Sequence, residues 1–130
     1  MTKLTAQPRT ELAFTAASLD FLKRLSLNNS RDWFKAHQDE YEDNVRTPAL
    51  RFIEQIQPHI IAISPRLTAV AKKVGGSLMR PQRDSRFSND KTPYKTNVGI
   101  QFRHFQGKDV HAPGLYLHIA EDGCFIAAGI

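Results

Sequence analysis

Apolar residues recur at three- and four-residue steps through the first half of this chain and at two-residue steps through the second. The first spacing predicts helices and the second predicts strands. Phe14-Thr15 followed by Ala16 to Leu27 reads as a capped amphipathic helix, with Thr15 as the cap and Leu19, Leu22 and Leu25 on one face. Asn28-Asn29 is expected to end it, because Asn tolerates the left-handed conformation. Ser30 then caps a second helix, with Asp32 in its first turn and Trp33, Phe34, His37, Tyr41 and Val45 along it. Thr47-Pro48 reads as a helix restart, with Leu50, Ile53, Ile56 and Ile60 as the buried stripe. Pro65 closes the helical half.

Leu67 to Val74 reads as a strand, Gly75-Gly76 as a turn and Ser77 to Arg83 as a short strand that Pro81 confines to an edge or a bulge. Val98, Ile100 and Phe102 alternate with other residues, as do Leu115, Leu117 and Ile119. Glu121-Asp122-Gly123 is a hairpin turn into Cys124 to Ile130. Helices followed by strands predict an α+β fold, with N-terminal helices packed on a mostly antiparallel β-sheet formed by the second half. One domain over residues 1–130 is expected, with 1–13 flexible. The chain stops at Ile130 inside an apolar, strand-like run, so a further C-terminal part is expected.

Composition narrows the classes. No apolar run approaches membrane-spanning length, so no membrane partner is expected. Met1 to Arg9 lacks the apolar stretch of a signal peptide. Cys124 is the single cysteine, which rules out an intrachain disulfide and a cysteine-based zinc site. A cytoplasmic location follows as the expectation, with Cys124 a buried, inert thiol. The formal charge of +5 is uneven. Met1 to Pro65 carries 8 Lys or Arg against 8 Asp or Glu, and Arg66 to Ile130 carries 10 against 5. A basic second half points to an anionic partner or to a solvated surface.

The candidate site is the run from Arg83 to Thr96. It sets Arg83, Arg86, Lys91 and Lys95 around Asp84 and Asp90 and closes on Pro93-Tyr94. With Arg80, these cations can form a pocket for phosphate or carboxylate, Arg as a bidentate fork and Lys as a point charge. The bland alternative is an internal lock in which Asp84 and Asp90 neutralise the neighbouring cations. An extended Arg83 to Phe87 would send alternate side chains opposite ways, so the basic groups cannot all converge without the following turn.

These residues carry a resemblance. Gly75-Gly76-Ser77-Leu78-Met79-Arg80 and the whole of Arg83 to Thr96 are similar to the signature of the bacterial and fungal domain-of-unknown-function family numbered 2461. Asn28-Asn29, Arg31-Asp32-Trp33-Phe34, Tyr41, Pro48 and Gly114 to Ile119 resemble it too. Pro81-Gln82 and Ala127-Ala128-Gly129 depart from its pattern. The family is longer, so the chain looks like a truncated member. The resemblance implies an α+β fold and brings no activity.

Other candidates are weaker. His118, beside Tyr116, has the chemistry of an acid or base, although a histidine paired within the sheet is the simpler expectation. His59, His104 and His111 lack metal-ligand spacing, so no metal and no cofactor is expected. Trp33, Phe34 and Tyr41 read as core. The leading expectation is a small anionic ligand bound by Arg80, Arg83, Asp84, Arg86, Asp90, Lys91, Tyr94, Lys95 and His118. Whether it is turned over, and the oligomeric state, stay open. A nucleic-acid binder using the basic half is the first alternative, with Tyr94, Tyr116 and Phe105 as its stacking candidates. A structural or partner-binding module locked by the loop is the second.

Overall fold

The computed structural model describes residues 14–105 and 114–129. The N-terminal segment 1–13 and His111 therefore lie outside the described residues. Four α-helical segments precede a three-stranded antiparallel sheet, so the architecture is α+β with the helices first. Helix α1 spans Ala16–Leu27, α2 Arg31–Ala36, α3 Gln38–Tyr41 and α4 Thr47–Ile63, with a π-helical turn at Glu42–Arg46 between the last two. The strands are β1 Asn97–Phe102, β2 Gly114–Ala120 and β3 Gly123–Gly129, in that order across the sheet.

The helix ends differ in detail from what the sequence suggests. Thr15 takes the cap position of α1 with extended backbone, and its own N–H donates to the Oγ of buried Ser18 at 3.1 Å. Asn28 ends α1 without entering the left-handed region, at φ −140°. Its side-chain Nδ2 donates to the Arg24 carbonyl at 2.9 Å and its N–H to the Leu25 carbonyl at 3.0 Å, so the last turn is closed by hydrogen bonds. Ser30 caps α2 as expected, its Oγ accepting from Trp33 N–H at 3.2 Å. The expected restart at Thr47-Pro48 is a continuation. Tyr41, Arg46 and Thr47 all keep right-handed helical dihedrals. Pro48 has no N–H to offer the preceding turn, and the wider π turn lies directly before it. Pro58 stands inside α4 on its exposed side.

The core lies between the helices and one face of the sheet. Phe21 and Ile53 are fully buried from the helices, and Ile100 and Phe102 from β1. Each such side chain contributes on the order of 1.5–3 kcal/mol by leaving water. Val98, Ile100 and Phe102 are paired with Ile119, Leu117 and Leu115, so all six share the core-facing side. Phe21 gathers the aromatic residues of α2 and α3, with ring centres of Trp33, Phe34 and Tyr41 at 5.6, 6.3 and 6.0 Å. Phe34 and Tyr41 are core, as their spacing predicts, whereas Trp33 is half-buried and stacks on His37.

The stretch between α4 and β1 is less regular than the alternation predicts. Leu67 to Val74 and Ser77 to Arg83 form isolated bridges rather than strands: Leu67 with His104, Leu78 with Ile100 and Gln82 with Tyr94. The chain leaves β1 after Thr68 and rejoins it at Ser77, and the excursion is closed by Ser77 N–H donating to the Val70 carbonyl at 2.8 Å. Gly75 turns at φ +78°. A Cβ on Gly76 would sit 2.5 Å from the Val70 carbonyl oxygen, so the paired glycines are needed where the sequence places the turn. Cys124 is a correction. It sits on the outer strand β3, which no described strand covers, and is exposed rather than buried.

Candidate anion-binding site

The basic loop hangs between the edge of β1 and the helices. Tyr94 anchors it. Its ring stacks on Phe34 with centres 4.1 Å apart and planes 11° from parallel. Its N–H donates to Asn29 Oδ1 at 3.1 Å, and its carbonyl accepts from Asn29 Nδ2 at 2.9 Å. The Asn29 amide thus imitates a strand partner for Tyr94 across 65 residues of sequence. Arg83 N–H to the Pro93 carbonyl and Lys95 N–H to the Pro81 carbonyl, both at 2.8 Å, tie the two ends of the loop together.

Within that frame the charged residues divide. Arg83 turns inward. Its Nη1 donates to the carbonyls of Asp90 and Thr92 at 3.2 and 3.0 Å and to Thr92 Oγ1 at 2.9 Å, with the Asp90 carboxylate 3.5 Å away. Asp90 accepts from Thr92 N–H at 3.0 Å, and the hydrogen bonds from Thr92 hold its carboxyl below the usual range. Lys91 Nζ donates to the Ser85 and Arg86 carbonyls at 2.7 and 3.3 Å. Arg86 forks onto Asp84 through Nε and Nη2 at 3.0 and 2.9 Å, which lowers the Asp84 pKa. Arg83, Asp84, Arg86, Asp90 and Lys91 therefore brace the loop from within. At its tip the brace leaves Phe87 94% exposed beneath the Arg86 guanidinium.

Arg80 and Lys95 behave differently. Both line a cavity of about 410 Å³ in the lee of the Val70–Ser77 excursion, together with Thr68, Gln101 and Arg103. Lys95 Nζ donates to the Arg80 carbonyl at 2.8 Å. Burial, and then the positive charge of Arg80, push the Lys95 pKa below the ordinary lysine value. Arg103 donates to Gln101 Oε1 at 3.3 Å. No carboxylate lines the cavity, and among the described residues none pairs with Arg80, Lys95 or Arg103. Asp84 feels the charge of Arg80, as the smallest influence on its pKa. Three cations with spare donors around one space can take an anion.

His118 is not among the residues that line the cavity and lies on the sheet face opposite the helices. Its ring stacks on Phe125 at 4.6 Å and its Nδ1 lies 3.4 Å from the Tyr116 hydroxyl. Arg103, Gln101 and the Asn29 clamp were not among the residues singled out in the sequence. The signal for the first two was present: Asn97, Gly99, Gln101 and Arg103 occupy the positions that alternate with Val98, Ile100 and Phe102. Asn29 reads in the sequence as a helix stop and as part of the family pattern, but its bonds to Tyr94 had no signal, because that partner is remote in sequence. Among the described residues, no group of three His, Cys, Asp or Glu side chains could hold a metal ion. No described helix is long and apolar enough to cross a membrane.

The helices come first and the sheet second, with the braced loop between them. A family model described as conserved hypothetical protein (DUF2461) matches residues 17–130, and the chain belongs to that family. No curated protein and no solved structure matches it.

Proposed function

We propose that the protein binds a small anionic ligand, bearing phosphate or carboxylate, in the cavity lined by Arg80, Lys95 and Arg103. One observation carries this reading: three cationic side chains line a space that holds no carboxylate to neutralise them. Bringing like charges together is unfavourable, and after burial it is the charge of Arg80 that lowers the Lys95 pKa. An anion would relieve that repulsion and use donors left open by the protein. The loop from Arg83 to Thr92 serves this reading as scaffold, since its cations are already engaged by its own carbonyls and carboxylates. A cytoplasmic location is part of the reading, because phosphorylated and carboxylated metabolites are abundant there. No reaction is assigned.

The test is thermal denaturation with inorganic phosphate and with citrate, run on the wild type, Arg80→Ala/Lys95→Ala and Arg86→Ala. A ligand at a hundred times its dissociation constant stabilises by about 2.7 kcal/mol, which is several degrees in a domain of this size. The expected result is a rise with at least one anion that persists in Arg86→Ala and disappears in the double variant. No rise with either anion, or a rise unchanged in the double variant, refutes the site. A rise lost in Arg86→Ala but kept in the double variant would move the site to the loop tip.

A further inference from the structure

Gln101 and Arg103 of the cavity lining occupy positions on the sheet face turned away from the core, and that face has a particular chemistry. Its strand positions are Asn97, Gly99, Gln101 and Arg103 on and beyond β1, then Tyr116 and His118 on β2, then Phe125 and Ala127 on β3. None of them is a carboxylate. Glycine and alanine keep much of the surface low, so the rings of Tyr116, His118 and Phe125 stand above it. They touch one another, with centres 6.3 Å apart for Tyr116–His118, 6.1 Å for Tyr116–Phe125 and 4.6 Å for His118–Phe125. Phe125 is 52% exposed.

The rings and the cations belong to one surface. Gln101 lines the cavity and is the cross-strand partner of Tyr116, which places them about 5 Å apart. Met79, another cavity residue, and Tyr116 both border the space above Gly99. A Cβ at position 99 would lie 2.8 Å from the Met79 sulfur and 3.2 Å from the Tyr116 hydroxyl oxygen. Any larger residue at position 99 would crowd both side chains, so Gly99 keeps the cavity lining and the rings next to one another.

We propose that the anion taken by this site is the phosphate of a nucleotide unit, with its base stacked on the Tyr116–His118–Phe125 cluster. This rests on the anion-binding reading of the cavity. An aromatic platform alone would suit many flat apolar groups, and a cationic cavity alone would suit any small anion. Their junction at Gln101 and Gly99 selects a ligand that carries a flat ring and a phosphate a short distance apart. Free nucleotide and single-stranded nucleic acid share that chemistry. In the second case Phe125, one strand further out than Tyr116, offers a place for a second base.

Titration calorimetry with ribose 5-phosphate, AMP and a single-stranded pentathymidylate tests this. Base stacking predicts that AMP binds at least about five-fold tighter than ribose 5-phosphate. Tyr116→Leu should bring the two affinities together, and Arg80→Ala should weaken both. If Tyr116→Leu does not fold, His118→Ala and the exposed-site variant Phe125→Ala take its place, and one of them must lower the AMP preference. Pentathymidylate that binds tighter than AMP, loses affinity steeply with salt and is weakened by Phe125→Ala makes a single strand the source. Pentathymidylate no tighter than AMP makes a free nucleotide the source. Equal binding of AMP and ribose 5-phosphate, both dependent on Arg80, overturns the nucleotide assignment and leaves the anion site standing. Absence of binding by all three, and by inorganic phosphate, overturns both.

Discussion

Asn29 is the residue whose replacement tests the architecture most directly. Its amide holds both backbone polar groups of Tyr94, at 2.9 and 3.1 Å, in a part-buried setting. Asn29→Ala removes both partners at once. A hydrogen bond contributes about 0.5–1.5 kcal/mol net, and an unpaired group costs about 1–3 kcal/mol if water cannot replace the partner. Part-burial lets water replace some of what is lost, so each bond counts for about 1 kcal/mol and the two for about 2 kcal/mol. In a domain of this length that is about 6–8 °C in melting temperature. Asn29→Asp separates the two bonds. It keeps an acceptor for the Tyr94 N–H and sets an oxygen against the Tyr94 carbonyl. When ionised, that carboxylate is repelled, so its pKa in the folded state is raised. The stability is then present at acid pH and lost as pH rises through the raised value. Melting of the three proteins, followed by circular dichroism between pH 4 and pH 7.5, is the assay. An Asn29→Ala protein that melts with the wild type would show that the Phe34–Tyr94 stack alone holds the loop, and would refute the argument. Asn29→Asp should approach the wild type at the acid end; a constant deficit across pH would refute the assignment of its second bond.

Further outcomes follow from the same geometry. Arg83→Ala strips the loop of its inward donor, and charged hydrogen bonds of this kind predict a loss of about 2 kcal/mol in urea unfolding, whereas Arg86→Ala, on a fully exposed pair, should leave the midpoint unchanged. The reverse order would show that the loop is braced at its tip. Burial and Arg80 hold Lys95 below the ordinary lysine value. Phosphate binding should therefore weaken as pH rises into that range, above pH 8 where phosphate no longer changes charge, and stay flat in Lys95→Arg; parallel profiles would remove Lys95 from the site. Glu40 is held below the usual carboxylate range by its hydrogen bonds from Arg24. Its contribution is present at neutral pH and lost as pH falls through that lowered value, so Glu40→Gln should show a shallower acid limb in a melting-versus-pH series; coincident acid limbs would show that the pair is inert.

Much of the fold was written locally. The spacing of Leu22, Leu25, Ile53 and Ile60 required helices with one apolar face, and the alternation of Val98, Ile100 and Phe102 required a strand with one buried side. Both are periods of the backbone itself, and the core formed where they said. Gly75 could be read for the same reason, since few other residues take a positive φ. The irregular edge from Leu67 to Arg83 could not, because bridges and excursions depend on which neighbour the backbone meets. Cys124 misled for a related reason: an apolar segment reads as buried, but β3 is the outermost described strand and no described strand covers it.

The chain alone located the basic loop and named its ionisable residues. It could not say which of them face one another. Arg83, Arg86 and Lys91 are chemically close to Arg80 and Lys95 and lie within the same short stretch. Only the folded chain sends the first three back onto their own loop and the other two into a cavity with Arg103. Periodicity decides which side of an element is buried. Pairing between charges is decided by three-dimensional distance, which is set by contacts as remote as Asn29 with Tyr94.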